Sequence, residues 1–73
     1  MVAEEIKKLV SESAGEDVAL DADFSNLKID SLDFVDLIQQ VEQRFNIRIS
    51  DEEVSGINTV GDLVSLVERH LTN

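Results

Sequence analysis

The sequence predicts an all-α fold: a four-helix bundle of three main helices and one short one, with a long first crossover loop. Three observations predict it. Three separate stretches repeat apolar residues every three to four positions, the spacing of one helix face. Side chains suited to helix capping stand at the start of the later stretches, at Asp30, Ser50 and Thr59. No alternating run is long enough to build a sheet, since Asn46-Ile47-Arg48-Ile49 is short and isolated and reads as a connector.

The first helix follows from Val2, Ile6, Leu9, Val10 and Ser13, which form a single stripe of about three turns that Gly15 would stop. Residues 14–30 lack a helical period but carry Val18, Leu20, Phe24, Leu27 and Ile29. A connection of that length in a small domain is uncommon and often functional. Its apolar residues are expected to anchor it across the bundle. The second helix should run from Ser31 to Phe45, with Asp30 as N-cap and Asp33 placed favourably for the helix dipole. Ser50-Asp51-Glu52-Glu53 is a capping-box pattern opening a short third helix that Gly56 would end. Thr59 should cap the fourth, with Asp62 three residues on and Val60, Leu63, Val64, Val67 and Leu71 facing the core.

Composition narrows the function. The chain of 73 residues reads as one domain over 1–73, and a domain this small buries only about 60% of its unfolded surface. With 42% hydrophobic residues it can still pack a core. There are no cysteines, so neither a disulfide nor a thiolate metal site is available, and a cytoplasmic location is expected. No run approaches the ~20 apolar residues of a membrane span, and the N-terminus has no signal-peptide pattern. The net charge is −10, and residues 11–36 hold eight acids against one base, Lys28. That field disfavours nucleic acid and anionic lipid and favours basic protein surfaces.

Projected at ~100° per residue, the second helix has two apolar sectors. Phe34, Leu37, Ile38, Val41 and Phe45 form a core stripe. Leu32 and Val35 fall elsewhere, near Ser31, Gln39 and Glu42, with Asp36, Gln40 and Gln43 at the flank. A spare apolar strip bordered by acids and starting at a serine reads as a docking patch.

Catalytic readings fail. The one histidine, His70, sits in the last helical turn and is expected to face solvent, with nothing to join it to Ser31 as a general base. Zinc lacks ligands, and the stretch from Asp21 has the start of a calcium loop but Asn26 where glycine is needed and Leu32 where the bidentate acid belongs. No dedicated metal site is expected. A chain this short also has little room for a substrate cleft.

The run DSLDFVDLIQQVEQRFNIRISDEE, followed by INTVGDLVSLV, resembles the acyl carrier protein family over nearly the whole chain. The resemblance implies a non-enzymatic, monomeric carrier. It places a 4′-phosphopantetheine arm on Ser31, added from coenzyme A by a phosphopantetheinyl transferase with Mg²⁺, and gives Asp30 the task of helping position that Mg²⁺. Acyl groups would ride as thioesters in fatty acid or related lipid or polyketide biosynthesis. Leu32, Val35, Asp36 and Glu42 would be read by acyl-loading, condensing and acyl-transfer enzymes with basic docking surfaces. A peptidyl or aminoacyl carrier loaded by an adenylating enzyme would share arm and fold, and a plain acidic interaction module would use Ser31 only as a cap. The sequence departs from the family at Lys28, where glycine is frequent. It departs again at Gln39, Gln40, Gln43, Arg44 and Arg48, where housekeeping members have glutamates late in the helix and a methionine on the docking strip.

Overall fold

A computed structural model describes residues 1–72. Four α-helices follow one another: α1 (Val2–Ala14), α2 (Ser31–Phe45), α3 (Asp51–Ser55) and α4 (Val60–Thr72). Among the described residues there is no strand, only one isolated antiparallel bridge between Asp23 and Thr59. The predicted all-α bundle is therefore the observed one, with α1 packed against both α2 and α4.

Helix ends are set by local chemistry. Gly15 stops α1 in the left-handed region at φ 75°, its N–H donating to the Ser11 carbonyl at 2.9 Å. Asn46 does the same for α2 at φ 54°, a conformation that asparagine tolerates better than most residues. The capping box of α3 forms as expected: Glu53 N–H donates to Ser50 Oγ (3.2 Å) and Ser50 N–H to Glu53 Oε1 (3.0 Å). At α4, Asp62 N–H donates to Thr59 Oγ1 (3.1 Å), while Asp62 Oδ2 accepts from the amides of Asn58 and Thr59, each at 3.0 Å.

The core is built from Ile6 and Val10 of α1, Leu37, Ile38 and Val41 of α2, and Val60, Leu63, Val64, Leu66 and Val67 of α4, with Ala14, Val18 and Ile49 completing it. Phe34 and Phe45, expected on the core stripe, lie half-buried at its edge. Two positions on α4 correct the sequence reading. Leu71 belongs to the apolar stripe but is 46% exposed, because it lies one turn beyond the last buried residue. Leu66, outside that stripe, is only 2% exposed, since α3 and Ile57 come to lie on that side of α4.

The crossover loop is anchored differently from what its apolar residues suggest. Val18 is buried, and Phe24, Leu27 and Ile29 are half-buried, but the Leu20 side chain is 43% exposed. Leu20 contributes its backbone instead: its carbonyl accepts from Gly61 N–H at 2.7 Å, while Ala22 O accepts from Val60 N–H at 3.0 Å. Phe24 N–H donates back to Asn58 O at 2.9 Å. A β-carbon at position 61 would stand 3.1 Å from the Leu20 carbonyl, so glycine suits this close approach. A 3₁₀ turn at Phe24–Asn26, not apparent from periodicity, is capped by Asp23, which accepts from Ser25 N–H at 2.9 Å.

His70 is a further correction. It does not simply face solvent: Nε2 lies 2.9 Å from Glu53 Oε2, tying α4 to α3 in a half-buried contact.

Asp62 gives a pH-dependent test of these caps. Its carboxyl is held below the ordinary 3.8, first by the Asn58 N–H and then by the Thr59 N–H. A depressed folded pKa contributes stability above the unfolded value that is lost as pH falls through the folded one. Asp62→Asn should therefore be less stable than wild type near pH ~6, and the gap should close progressively below about pH 4. Urea unfolding of both proteins across that range measures the difference, free of effects common to the two chains.

Candidate functional site

The site is the first turn of α2 and the surface below it. Asp30, in extended conformation, caps the helix: its Oδ1 accepts from Asp33 N–H at 2.8 Å and its carbonyl from Phe34 N–H at 2.9 Å. Ser31 is thus the first helical residue and not the cap. It is exposed, its Oγ has no hydrogen bond to any described residue, and the amides of Ser31 and Leu32 also lack partners among them. A free hydroxyl beside two free helix-start N–H groups is chemically suited to carry a phosphate ester, whose oxygens those donors can meet.

The neighbouring side chains divide as the helical projection requires. Leu32 is 80% exposed and Val35 54%, whereas Leu37 is fully buried. Phe34 turns the other way and meets Phe24 of the crossover loop edge-on, ring centroids 5.2 Å apart at 72°. This contact fixes the first turn of α2 against the loop and leaves Ser31, Leu32 and Val35 outward. Asp36 is exposed, with Gln40 Nε2 donating to its Oδ2 at 3.3 Å. The sequence-predicted residues Asp30, Ser31, Leu32, Val35 and Asp36 are therefore all exposed.

Glu42 differs from them. It is half-buried, and its Oε2 accepts from Ile49 N–H at 2.8 Å, so it holds the connector between α2 and α3. Nothing in the local sequence pairs positions 42 and 49; that bond depends on the turn made by Asn46.

Beneath the strip, α2 and α3 frame a groove of about 170 Å³ walled by Phe34, Val35, Ile38, Ile49 and Val54, with Gln39, Glu42 and Asp51 at its rim. Counting ~100° per residue, Val35, Ile38 and Glu42 lie within about 40° of Ser31 around the helix. The groove therefore opens on the same side of α2 as the serine. Sequence reasoning missed it, because its far wall comes from Ile49 and Val54. Larger depressions along α1, between Glu4, Lys7, Lys8 and Glu12, are charged surface that includes neither Ser31 nor its neighbours. Among the described residues no group of acids and histidines is arranged to hold a metal ion.

The two faces of the first turns make a direct test. Phe34→Ala should cost about 1–3 kcal/mol, below the value for a fully buried ring because Phe34 is half-buried. Val35→Ser, one residue on, should change stability by no more than about 0.5 kcal/mol. Denaturant titration of both variants checks the assignment of faces.

Comparison with known proteins agrees with this geometry. The family described as the phosphopantetheine attachment site matches residues 3–67. The acyl carrier protein of Streptococcus pyogenes serotype M3 is 43% identical over 70 residues, covering 92% of each chain. That of Clostridium acetobutylicum is 35% identical over 74 residues, covering 96% of each. The crystal structure of an acyl carrier protein from Thermotoga maritima superposes with a TM-score of 0.80 at 34% identity, covering 99% of this chain and 93% of that one.

Proposed function

Because this chain belongs to the acyl carrier protein family, whose members carry a phosphopantetheine arm and are not catalysts, we propose that Ser31 is the attachment residue and that residues 1–73 act as one acyl-carrying domain. The carrying observation is the state of Ser31. Its hydroxyl is exposed and unbonded at the start of a helix that Asp30 already caps. A serine needed for capping would have its oxygen turned to a backbone N–H; this one does not.

The arm supplies a terminal thiol on which acyl groups are held as thioesters. The protein's own residues present, orient and shield. Ser31 offers the nucleophilic oxygen to a phosphopantetheinyl transferase, which brings coenzyme A and Mg²⁺. Asp30 keeps Oδ2 without a hydrogen bond among the described residues, and this oxygen is available to a metal brought by that enzyme. Leu32, Val35 and Asp36 form the strip read by acyl-loading, condensing and acyl-transfer enzymes, with Glu42 at its anchored lower end. The exposed Asp36 of the strip, with Asp30 and Asp33 at the helix start, suits basic docking surfaces, whose attraction raises the encounter rate. The groove walled by Phe34, Ile38, Ile49 and Val54 offers apolar cover beside the serine, which suits an acyl cargo in fatty acid or related lipid or polyketide synthesis. No observation favours an aminoacyl or peptidyl cargo. The carrier works as a cytoplasmic monomer in this reading.

Incubation with coenzyme A, Mg²⁺ and a broad phosphopantetheinyl transferase should add the mass of one arm to the wild-type chain and none to Ser31→Ala, as read by intact mass spectrometry. No added mass on wild type, or added mass that survives Ser31→Ala, sinks the assignment.

Asp36→Lys and Val35→Asp should slow loading by carrier-using enzymes while leaving helical content by circular dichroism unchanged. The Asp36→Lys effect should lie mainly in the association rate and fade with rising salt. Loading rates equal to wild type for both variants at low salt would remove the strip from the docking surface.

A further inference from the structure

The phosphodiester that would sit on Ser31 meets a local difficulty: the carboxylates of Asp30 and Asp33 flank the same helix start. Two free amides help, but they are dipoles, not charges. One cation is near. Lys28 is the single base between residues 11 and 36, and it precedes Ser31 by three positions.

The backbone determines where Lys28 stands. Leu27 (φ −95°, ψ 157°) and Asp30 (φ −83°, ψ −179°) are extended at the two ends of this short approach, and the chain bends at Leu27 and Lys28. Burial sorts these residues: Leu27 and Ile29 are half-buried against the core, and Lys28 and Asp30 are exposed. Lys28 and Asp30 are thus both open to solvent, immediately ahead of the serine. Three residues of chain span at most about 10 Å, which a lysine stem from one end and a serine ester from the other can close. Lys28 is also uncommitted. Among the described residues Arg44 pairs with Glu5 and His70 contacts Glu53, and Lys28 takes part in neither, nor in any side-chain hydrogen bond there.

We propose that Lys28 is the intramolecular counter-cation of the phosphodiester on Ser31, offsetting Asp30 and Asp33 once the arm is attached. The proposal rests on the Ser31 assignment above. It makes Lys28 a positioning residue for the base of the arm, with a role in the arm-bearing form that it does not have in the unmodified one.

The test is a four-way comparison of wild type and Lys28→Gln, each unmodified and arm-bearing, with conversion verified by intact mass. Thermal melts are recorded in about 10 mM salt, where screening is weakest. Lys28 is exposed, so Lys28→Gln should fold, and any effect on the unmodified protein cancels in the arm-bearing-minus-unmodified difference. That difference should be lower in Lys28→Gln than in wild type by roughly 1–4 °C, the range expected for one exposed ion pair in a domain this small. Lys28→Arg should restore it, and about 0.5 M salt should abolish it. If wild type gains no mass, the Ser31 assignment falls and this proposal with it. If the mass is gained but wild type and Lys28→Gln give the same difference in low salt, the Lys28 proposal alone is overturned.

Discussion

The structure depends on the docking of the crossover loop onto the N-terminus of α4. A helix start leaves four N–H groups without intrahelical partners. At α4 all four are met: Thr59 by Asp62 Oδ2, Val60 by the Ala22 carbonyl, Gly61 by the Leu20 carbonyl and Asp62 by Thr59 Oγ1. Two of the four acceptors belong to a loop about forty residues earlier in the chain, so satisfying the helix also fixes the loop. The fixed loop holds Phe24 against Phe34, and that contact orients the first turn of α2. The position of Ser31 is thus determined by hydrogen bonds made at the far helix.

Comparing the helix starts separates structure from function. The starts of α3 and α4 are closed by reciprocal side-chain caps, Ser50 with Glu53 and Thr59 with Asp62. At α2 the cap is one-sided. Asp30 meets Asp33 and Phe34, and the amides of Ser31 and Leu32 remain open among the described residues. Closed starts stabilise the bundle; α1 also lacks a side-chain cap, and what distinguishes the open start of α2 is the exposed, unbonded Ser31 hydroxyl beside its free amides. The electrostatic setting points the same way. Acids dominate the chain from Glu12 to Asp36, and one unpaired lysine lies at the edge of the open start.

What could be read from the sequence was what local chemistry decides. The bounds of α2, the capping box of α3, the Thr59–Asp62 pair and the outward sector of Leu32 and Val35 all follow from residues within one or two turns of each other. So does the exposure of Asp30, Ser31, Leu32, Val35 and Asp36. What escaped depends on which elements meet. Leu66 is buried because α3 and Ile57 lie on that side of α4, and Leu71 is exposed one turn beyond the last buried residue. Leu20 serves through its carbonyl, which no apolar pattern reveals. Glu42 and His70 look like surface residues until Ile49 and Glu53 are brought to them. The groove has the same origin, since its far wall arrives with the connector and α3.

The exposure of Leu32 and Val35 then acquires an energetic meaning. Burying such a side chain is worth about 1.5–3 kcal/mol, and a domain of this length holds only about 4–10 kcal/mol in all. A single exposed leucine on a large protein carries no information. Here two apolar residues on consecutive turns remain open beside an unbonded serine and two unpaired amides, in a chain with few apolar side chains to spare. Turning α2 to bury them would move Leu37, Ile38 and Val41 out of the core and lose more than it gained, so the bundle cannot cover the strip by rotation. Only a second surface can. Stability and the proposed docking therefore fall to different parts of one helix surface, and the contact of Phe34 with Phe24 holds that orientation.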